Sequence, residues 1–301
     1  MRPDTGADIR VEMLADEADY AIVGPRDTRT RVLNARRVPY AAICHLELDL
    51  GGRRSGCTGF LVAPRIVVTA AHCLHNPARA RAGGRAAPHG IRVTPGRNGR
   101  SSAPFGTQPA VAWYAHNEFV RARSPGHDMG IIALAQAFAG HPGVLRMAVQ
   151  SDGQLARAQR GHLLHIAGYP GDKPPGTQWE HAESLRSIHG NVIRYSVDTC
   201  PGHSGSPVWI REANVSALVV GIHTGGPTRS LDGRAWGCAP GVPVAPRGHT
   251  NRGVRITTEL LRAVADVTHG RTPPRFVRMV PSSARSAPRR FEAEQLAPAA
   301  L

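Results

Sequence analysis

Asp198-Thr-Cys-Pro-Gly-His-Ser-Gly-Ser-Pro207 is the stretch the remaining chain is organised around. Ser204 stands between Gly202 and Gly205. A glycine two residues before a serine lets the backbone turn so that the N–H groups of Gly202 and Ser204 converge on one point, where they can hold the oxyanion of an attacked carbonyl. A serine hydroxyl alone is a poor nucleophile. It needs a base, usually histidine, oriented by a carboxylate.

Upstream, Thr69-Ala-Ala-His72-Cys73 directly follows the β-branched run Ile66–Thr69. Small residues before His72 leave room to pack it at a domain seam. A single histidine among 15 is ordinarily a surface or core residue, and an Asp before a strand is ordinarily a turn cap. Asp128, at the mouth of the apolar run Met129–Leu134, changes that balance. His72, Asp128 and Ser204 together supply the base, the orienting carboxylate and the nucleophile.

The text between these sites reads as short strands with Gly- and Pro-rich turns. Ala41–Leu50, Gly56–Ala63, Ile66–Thr69, Ile91–Thr94, Val111–Tyr114 and Met129–Leu134 form a first set. Leu163–Ala167, Gln178–Ile188, Asn191–Val197, Pro207–Ile210, Ala217–His223 and Gly253–Thr257 form a second. A Pro/Gly/Ser patch within 141–160 is the expected seam between two halves. One helix is predicted late, with Thr258 as N-cap and Leu260, Leu261, Val264 and Val267 on one apolar face. The fold class expected is all-β: two six-stranded antiparallel barrels with a C-terminal helix. Residues 1–21, bearing Asp4, Asp8, Glu12, Asp16, Glu17 and Asp19, read as a leader or pro-segment, residues 22–270 as the folded domain, and 271–301 as a Pro/Arg-rich disordered tail with a short helix near Phe291–Leu296.

The motifs around His72, Asp128 and Ser204 resemble those of trypsin/chymotrypsin-like serine proteases, and His, Asp, Ser is that family's order along the chain. More narrowly, Asp198-Thr199, Gly202-His-Ser-Gly-Ser-Pro207, Gly221-Ile-His223-Thr-Gly-Gly226 and Asn251-Arg-Gly-Val-Arg-Ile256 look like the bacterial glutamyl endopeptidase (V8-like) branch. Ile22-Val-Gly-Pro-Arg-Asp-Thr-Arg-Thr-Arg-Val32 is similar to the start of those mature enzymes, which implies a zymogen whose leader is removed near Ile22 or Val23. The resemblance implies that Ser204 attacks the scissile carbonyl, His72 carries the proton, Asp128 fixes the imidazole, and Gly202 and Ser204 form the oxyanion hole. It further implies that Thr199 and His223, with Thr224 and Gly225 beside them, line a pocket for a substrate Glu, or Asp, side chain. Thr224 could also back Asp128 with a hydroxyl.

Two alternatives stay open. Asp198 lies six residues before Ser204, where trypsin-like enzymes carry the pocket-floor Asp that binds Arg or Lys. A non-catalytic homologue holding polyanions on a basic surface is the other. His203 stands where trypsin-type activation needs an Asp, so the usual zymogen salt bridge is not available. Of five cysteines, the resemblance pairs Cys57 with Cys73. Cys200 is placed to pair with Cys238, which leaves Cys44 as a buried strand thiol.

The net charge is +15, and Lys173 is the only lysine among 37 Lys and Arg residues. Arginine richness without interleaved aromatics does not point to specific nucleic-acid binding. No run of about 18 apolar residues predicts a membrane span, and no two cysteines form a tight metal-ligand pair. The expectation is a protein or peptide substrate, no cofactor, no metal, a monomer, and a secreted location. The last rests on the disulfides, since Met1–Tyr20 does not read as a signal peptide.

Overall fold

In the computed structural model residues 22–282 are described, apart from 25, 82, 158–162, 213–214, 228–236 and 239–243. The expected leader and the expected helix near 291–296 lie outside the described residues. Along the chain the elements are β1 (Thr30–Arg31), β2 (Ile43–Asp49), β3 (Arg54–Ala63), β4 (Ile66–Thr69), α1 (Ala71–Leu74), α2 (Pro77–Arg81), β5 (Gly90–Pro95), β6 (Gln108–His116), α3 (Asn117–Ala122), β7 (Gly130–Leu134), β8 (Arg146–Met147) and α4 (Asp152–Ala156). They continue with β9 (Leu164–Gly168), β10 (Trp179–Glu183), β11 (Leu185–His189), β12 (Val192–Tyr195), β13 (Pro207–Glu212), β14 (Val215–Gly225), β15 (Asn251–Arg255), α5 (Thr258–Thr268) and β16 (Phe276–Met279).

The first sheet runs β16-β6-β5-β2-β3-β4-β7, and β7 pairs back with β6, closing a six-stranded antiparallel barrel. Its interior is filled by large side chains that alternate inward, among them Leu46, Phe60, Val68, Val93, Trp113 and Ile131. The second sheet runs β1-β10-β9-β13-β14-β15-β12-β11. Strands near its two ends are consecutive in the chain, because β10 stops at Glu183 and β11 begins at Leu185. One strand bent at Ser184 therefore pairs with β9 on one half and β12 on the other, so the path returns on itself. The departures from an all-antiparallel six-stranded barrel are small: β8 adds to β14 in parallel and β1 extends the ladder beyond β10. Leu164, Ile166, Ile193, Val208 and Val220 fill this second core.

Helix α5 lies against β4 and β7 and buries Leu260, Ala263 and Val267. Its N-cap is Thr257 rather than the expected Thr258: the Thr257 hydroxyl accepts from the Leu260 N–H at 3.1 Å. Both threonines suit the position, and the one with extended backbone takes it. The four other short helices, each of four to six residues, carry too few turns for a periodic apolar face to show in the sequence.

The expectation of a disordered tail from 271 is corrected for residues 272–282. Phe276–Met279 adds to the β6 edge in register with Trp113–His116. Phe276 is buried and meets the His116 ring edge-on at 5.1 Å. Beyond it Ser282 N–H donates to the His89 carbonyl at 3.0 Å. Four residues of edge strand inside Pro- and Arg-rich text carry no periodic signal; only the apolar slot beside β6 gives Phe276 its place.

Phe276→Ala should cost about 3 kcal/mol in denaturant unfolding, the low end for losing a buried phenyl ring. A change within error would mean that the strap adds nothing to the barrel. Two buried histidines set an acid limit. Burial, with Arg97 beside His45 and Arg29 beside His203, lowers each ring to about 3 from the ordinary value of 6.5. The unfolded chain then binds more protons than the native one between those values, so stability falls as pH drops below about 6.5, by up to about 1.4 kcal/mol per pH unit per histidine. His45→Gln should make the slope of unfolding free energy between pH 6 and 4 shallower by about 1 kcal/mol per unit. An unchanged slope would refute the neutral, buried ring.

Candidate active site

His72 sits on the single turn α1, just after β4. Ala70 and Ala71 are fully buried, so the turn packs where a larger side chain would hold it off. Asp128 enters from the turn that leads into β7 and is itself buried. One carboxylate oxygen lies 2.7 Å from His72 Nδ1, and the other accepts the His72 backbone N–H at 2.9 Å. Asp128 thereby holds the imidazole through its ring and through its backbone at once.

Ser204 arrives from the second barrel. Its loop is closed by the His203 N–H on the Cys200 carbonyl at 3.0 Å and the Ser206 N–H on the His203 carbonyl at 2.9 Å. Gly202 has φ +100° and lies so close to the 169–171 segment that a Cβ would meet the Tyr169 carbonyl at 2.3 Å. Only glycine fits both demands. The Ser204 carbonyl accepts the Thr58 N–H at 2.8 Å and lies 3.7 Å from Cys73 Sγ, the residue after His72. Cys73 is joined to Cys57, and Cys200 to Cys238; Cys44 is a free, buried thiol that burial holds in its neutral form. The structure therefore brings the three motif segments to one seam, between β4–α1, the start of β7 and the loop before β13.

Beside this seam Thr199 is fully buried, and its hydroxyl has no hydrogen-bond partner among the described residues. His223, on β14, is also fully buried. Its Nδ1 lies 2.7 Å from the Tyr195 hydroxyl. Burial holds the ring well below the usual histidine range, reinforced by His203 and His72. Two backbone hydrogen bonds stitch β14 to the serine loop: the Gly205 N–H to the His223 carbonyl and the His223 N–H to the Ser206 carbonyl, each 2.8 Å. Thr224 follows, also buried. Gly225 lies under the Arg252 guanidinium, whose Nη2 a Cβ would meet at 3.1 Å.

Asp198 takes a different place from the one its spacing suggests. It is buried, and its carboxylate accepts the Val23 N–H at 2.8 Å, the Thr28 N–H at 3.0 Å and the Thr28 hydroxyl at 2.6 Å. The N-terminal segment thus occupies it. Thr58 and Tyr195 are site-building residues that sequence reasoning missed, as is the contact of Val23 and Thr28 with Asp198. The signal for Thr58 was its position next to Cys57, and Val23 and Thr28 stand in the segment that resembles a mature N-terminus.

Only one set of metal-ligand types gathers among the described residues. His116, His127 and Glu259 bring their candidate atoms within 4.8 Å of one another. His116 Nδ1 accepts the Glu118 N–H at 3.2 Å, which leaves the ring proton on Nε2, 3.2 Å from Glu259. Glu259 Oε1 is also 3.2 Å from Arg275 Nε, and neither it nor His116 Nε2 makes a hydrogen bond among the described residues.

Comparison with known proteins agrees with this geometry. The family profile described as Trypsin matches residues 34–244. A glutamyl endopeptidase of Bacillus licheniformis is 31% identical over 250 residues, which is 81% of this chain and 69% of that protein. A Bacillus subtilis protein named extracellular metalloprotease is 32% identical over 208 residues, 68% of this chain and 63% of its own length. A solved Glu endopeptidase structure superposes with a TM-score of 0.64 at 25% identity, covering 83% of this chain and all of that one. The chain belongs to the trypsin family of serine endopeptidases, on its glutamyl endopeptidase branch.

Proposed function

We propose that the protein hydrolyses peptide bonds after glutamate, through an acyl-enzyme on Ser204. His72 takes the serine proton and passes it to the leaving amine, while Asp128 holds the ring and offsets the charge on the imidazolium. The N–H groups of Gly202 and Ser204 hold the oxyanion, where one donor is worth about 3 kcal/mol of barrier. The hydrogen bonds that the Asp128 carboxylate accepts from both the ring and the backbone of His72 support these roles.

The observation that carries the glutamate reading is the Thr199 hydroxyl, a buried donor with no partner among the described residues. Leaving such a group unsatisfied costs about 1–3 kcal/mol, and a substrate carboxylate removes that cost. His223 completes the pair: a Tyr195 O–H donated to Nδ1 leaves the ring proton on Nε2, a neutral donor. The trypsin-like alternative needs Asp198 to face substrate. Its carboxylate is taken by Val23 and Thr28 instead, which favours glutamate over arginine or lysine.

The same contact suits a processed N-terminus. Removal of the leader before Val23 would form the new ammonium at the nitrogen already 2.8 Å from Asp198. Export fits the two disulfides, and no described helix is long and apolar enough to cross a membrane.

Matched peptides with Glu, Asp, Gln, Arg or Lys before the scissile bond test the reading. Glu should exceed Gln by about 10²-fold in kcat/KM, and His223→Ala or Thr199→Val should erase most of that ratio. Faster turnover of Arg would overturn it. Ser204→Ala should lower kcat by at least about 10³-fold; residual activity near wild type would move the nucleophile elsewhere. Mass spectrometry of the active form should find a chain beginning at Ile22 or Val23, and full activity with Met1 retained would refute the processing step.

A further inference from the structure

Separate from the residues of the proposed glutamate pocket, the structure has an open hollow of about 50 Å³ that Gly202 also lines. Its walls are Tyr169 to Gly171, which run beneath Gly202, and Arg54 to Gly56, which lead into Cys57. None of Thr199, His223 and Thr224 lines it. With the oxyanion held at Gly202, a substrate whose acyl half fills the glutamate pocket has its leaving half passing Gly202, within reach of this hollow. The position next to the Cys57–Cys73 bridge agrees, because His72, which protonates the leaving amine, precedes Cys73.

The charges around the hollow are unevenly committed. Arg97 is tied to Glu47 at 3.5 Å, to His45 Nδ1 at 2.9 Å and to two carbonyls. Lys173 is paired with Asp27 at 2.8 Å and sits over the Trp179 ring. Arg54 is exposed at the start of β3 and, among the described residues, is the cation lining the hollow that makes no ion pair or side-chain hydrogen bond. His45 adds a neutral donor. Arg97 donates to its Nδ1, so the proton resides on Nε2, and that atom lies next to Gly56, where a Cβ would come within 3.7 Å of it. An uncommitted guanidinium and an imidazole N–H beside one hollow make a site for an anion.

We propose that this hollow is a leaving-side subsite selective for an acidic residue within the first three positions after the scissile bond, with Arg54 as the specificity-determining residue. The proposal rests on the glutamate pocket reading for its direction, but the preference itself belongs to the leaving half of the substrate. The preferred substrate is therefore an acidic segment, with one carboxylate before the cut and a second shortly after it.

Fluorescence-quenched peptides test this directly. One series carries Glu before the scissile bond and Ala, Glu or Arg at each of the next three positions; a parallel series carries Arg before the bond. In wild-type protein, Glu at one of the three positions should raise kcat/KM about fivefold to tenfold over Ala, the scale of one partly exposed charge pair at moderate salt. Arg54→Ala should remove that gain, and Arg54→Glu should turn it into a preference for Arg, with melting temperature unchanged because Arg54 is exposed. Equal rates for Ala, Glu and Arg at all three positions, or a preference for Glu that survives Arg54→Glu, would overturn the proposal. Cleavage confined to the second series would overturn the glutamate pocket instead, and that series would still read the leaving side.

Discussion

Thr58 is the point at which the two barrels are fastened, and the site depends on it. Its N–H donates to the Ser204 carbonyl at 2.8 Å, its hydroxyl donates to the Gly202 carbonyl at 2.7 Å and accepts the Tyr169 N–H at 3.0 Å, and its carbonyl accepts the Thr69 hydroxyl at 2.7 Å. Thr58 and Thr69 belong to the first barrel; Tyr169, Gly202 and Ser204 belong to the second. These groups are buried, so each lost bond would leave a partner unsatisfied at about 1–3 kcal/mol. The close approach also explains the glycines. A Cβ at Gly205 would lie 2.1 Å from the Thr58 carbonyl, and one at Gly168 would lie 2.8 Å from its hydroxyl. The serine loop can reach the histidine only because the chain narrows to bare backbone where it crosses this residue.

A second set of contacts fixes the same loop from behind. Asp198, at its start, receives three donors from the segment 23–28, and His181 Nδ1 accepts the Asp198 N–H at 2.7 Å. Next to it Arg29, almost fully buried, is forked between Asp27 and Asp172, and Lys173 closes the set on Asp27. The two guanidinium partners push Arg29 upward, and Arg29 and Lys173 hold the Asp27 carboxyl well below its usual range despite burial. Such a set is costly to break from one side, because each removal strands a buried charge. The N-terminal segment thus acts as a brace on the start of the serine loop.

How far the site could be read from the text follows from the range of each interaction. Ile66–Thr69 matched β4 to the residue, and His72, Asp128 and Ser204 each stand in short motifs whose local geometry is encoded within a few positions. Thr58 was passed over because its partners lie 11, 111 and 144 residues away. Asp198 is a second case. Six residues from Ser204 it looked like a pocket floor, whereas its partners are 170 and 175 residues upstream. The bend at Ser184 shows the converse: Gln178–Ile188 reads as one strand, and it is one run of chain serving two ladders of a closed sheet.

The contrast between surface and pocket chemistry bears on the proposed preference for glutamate. A chain so rich in arginine could have put a guanidinium beside the serine. Instead Arg29, one of two buried arginines among the described residues, forms the brace, the donors of the proposed pocket are the neutral Thr199 and His223, and the Arg252 guanidinium beside Gly225 donates to the Gly226 carbonyl. A fixed cation in a closed pocket must be paired in the free protein or carry a large desolvation cost. A hydroxyl and a neutral imidazole carry a smaller one, and they bring no compulsory counter-ion that substrate must displace. Burial keeps His223 neutral, and under the proposed preference for glutamate the substrate's own charge would raise the proton affinity of the ring it meets, a gain that an uncharged glutamine does not supply.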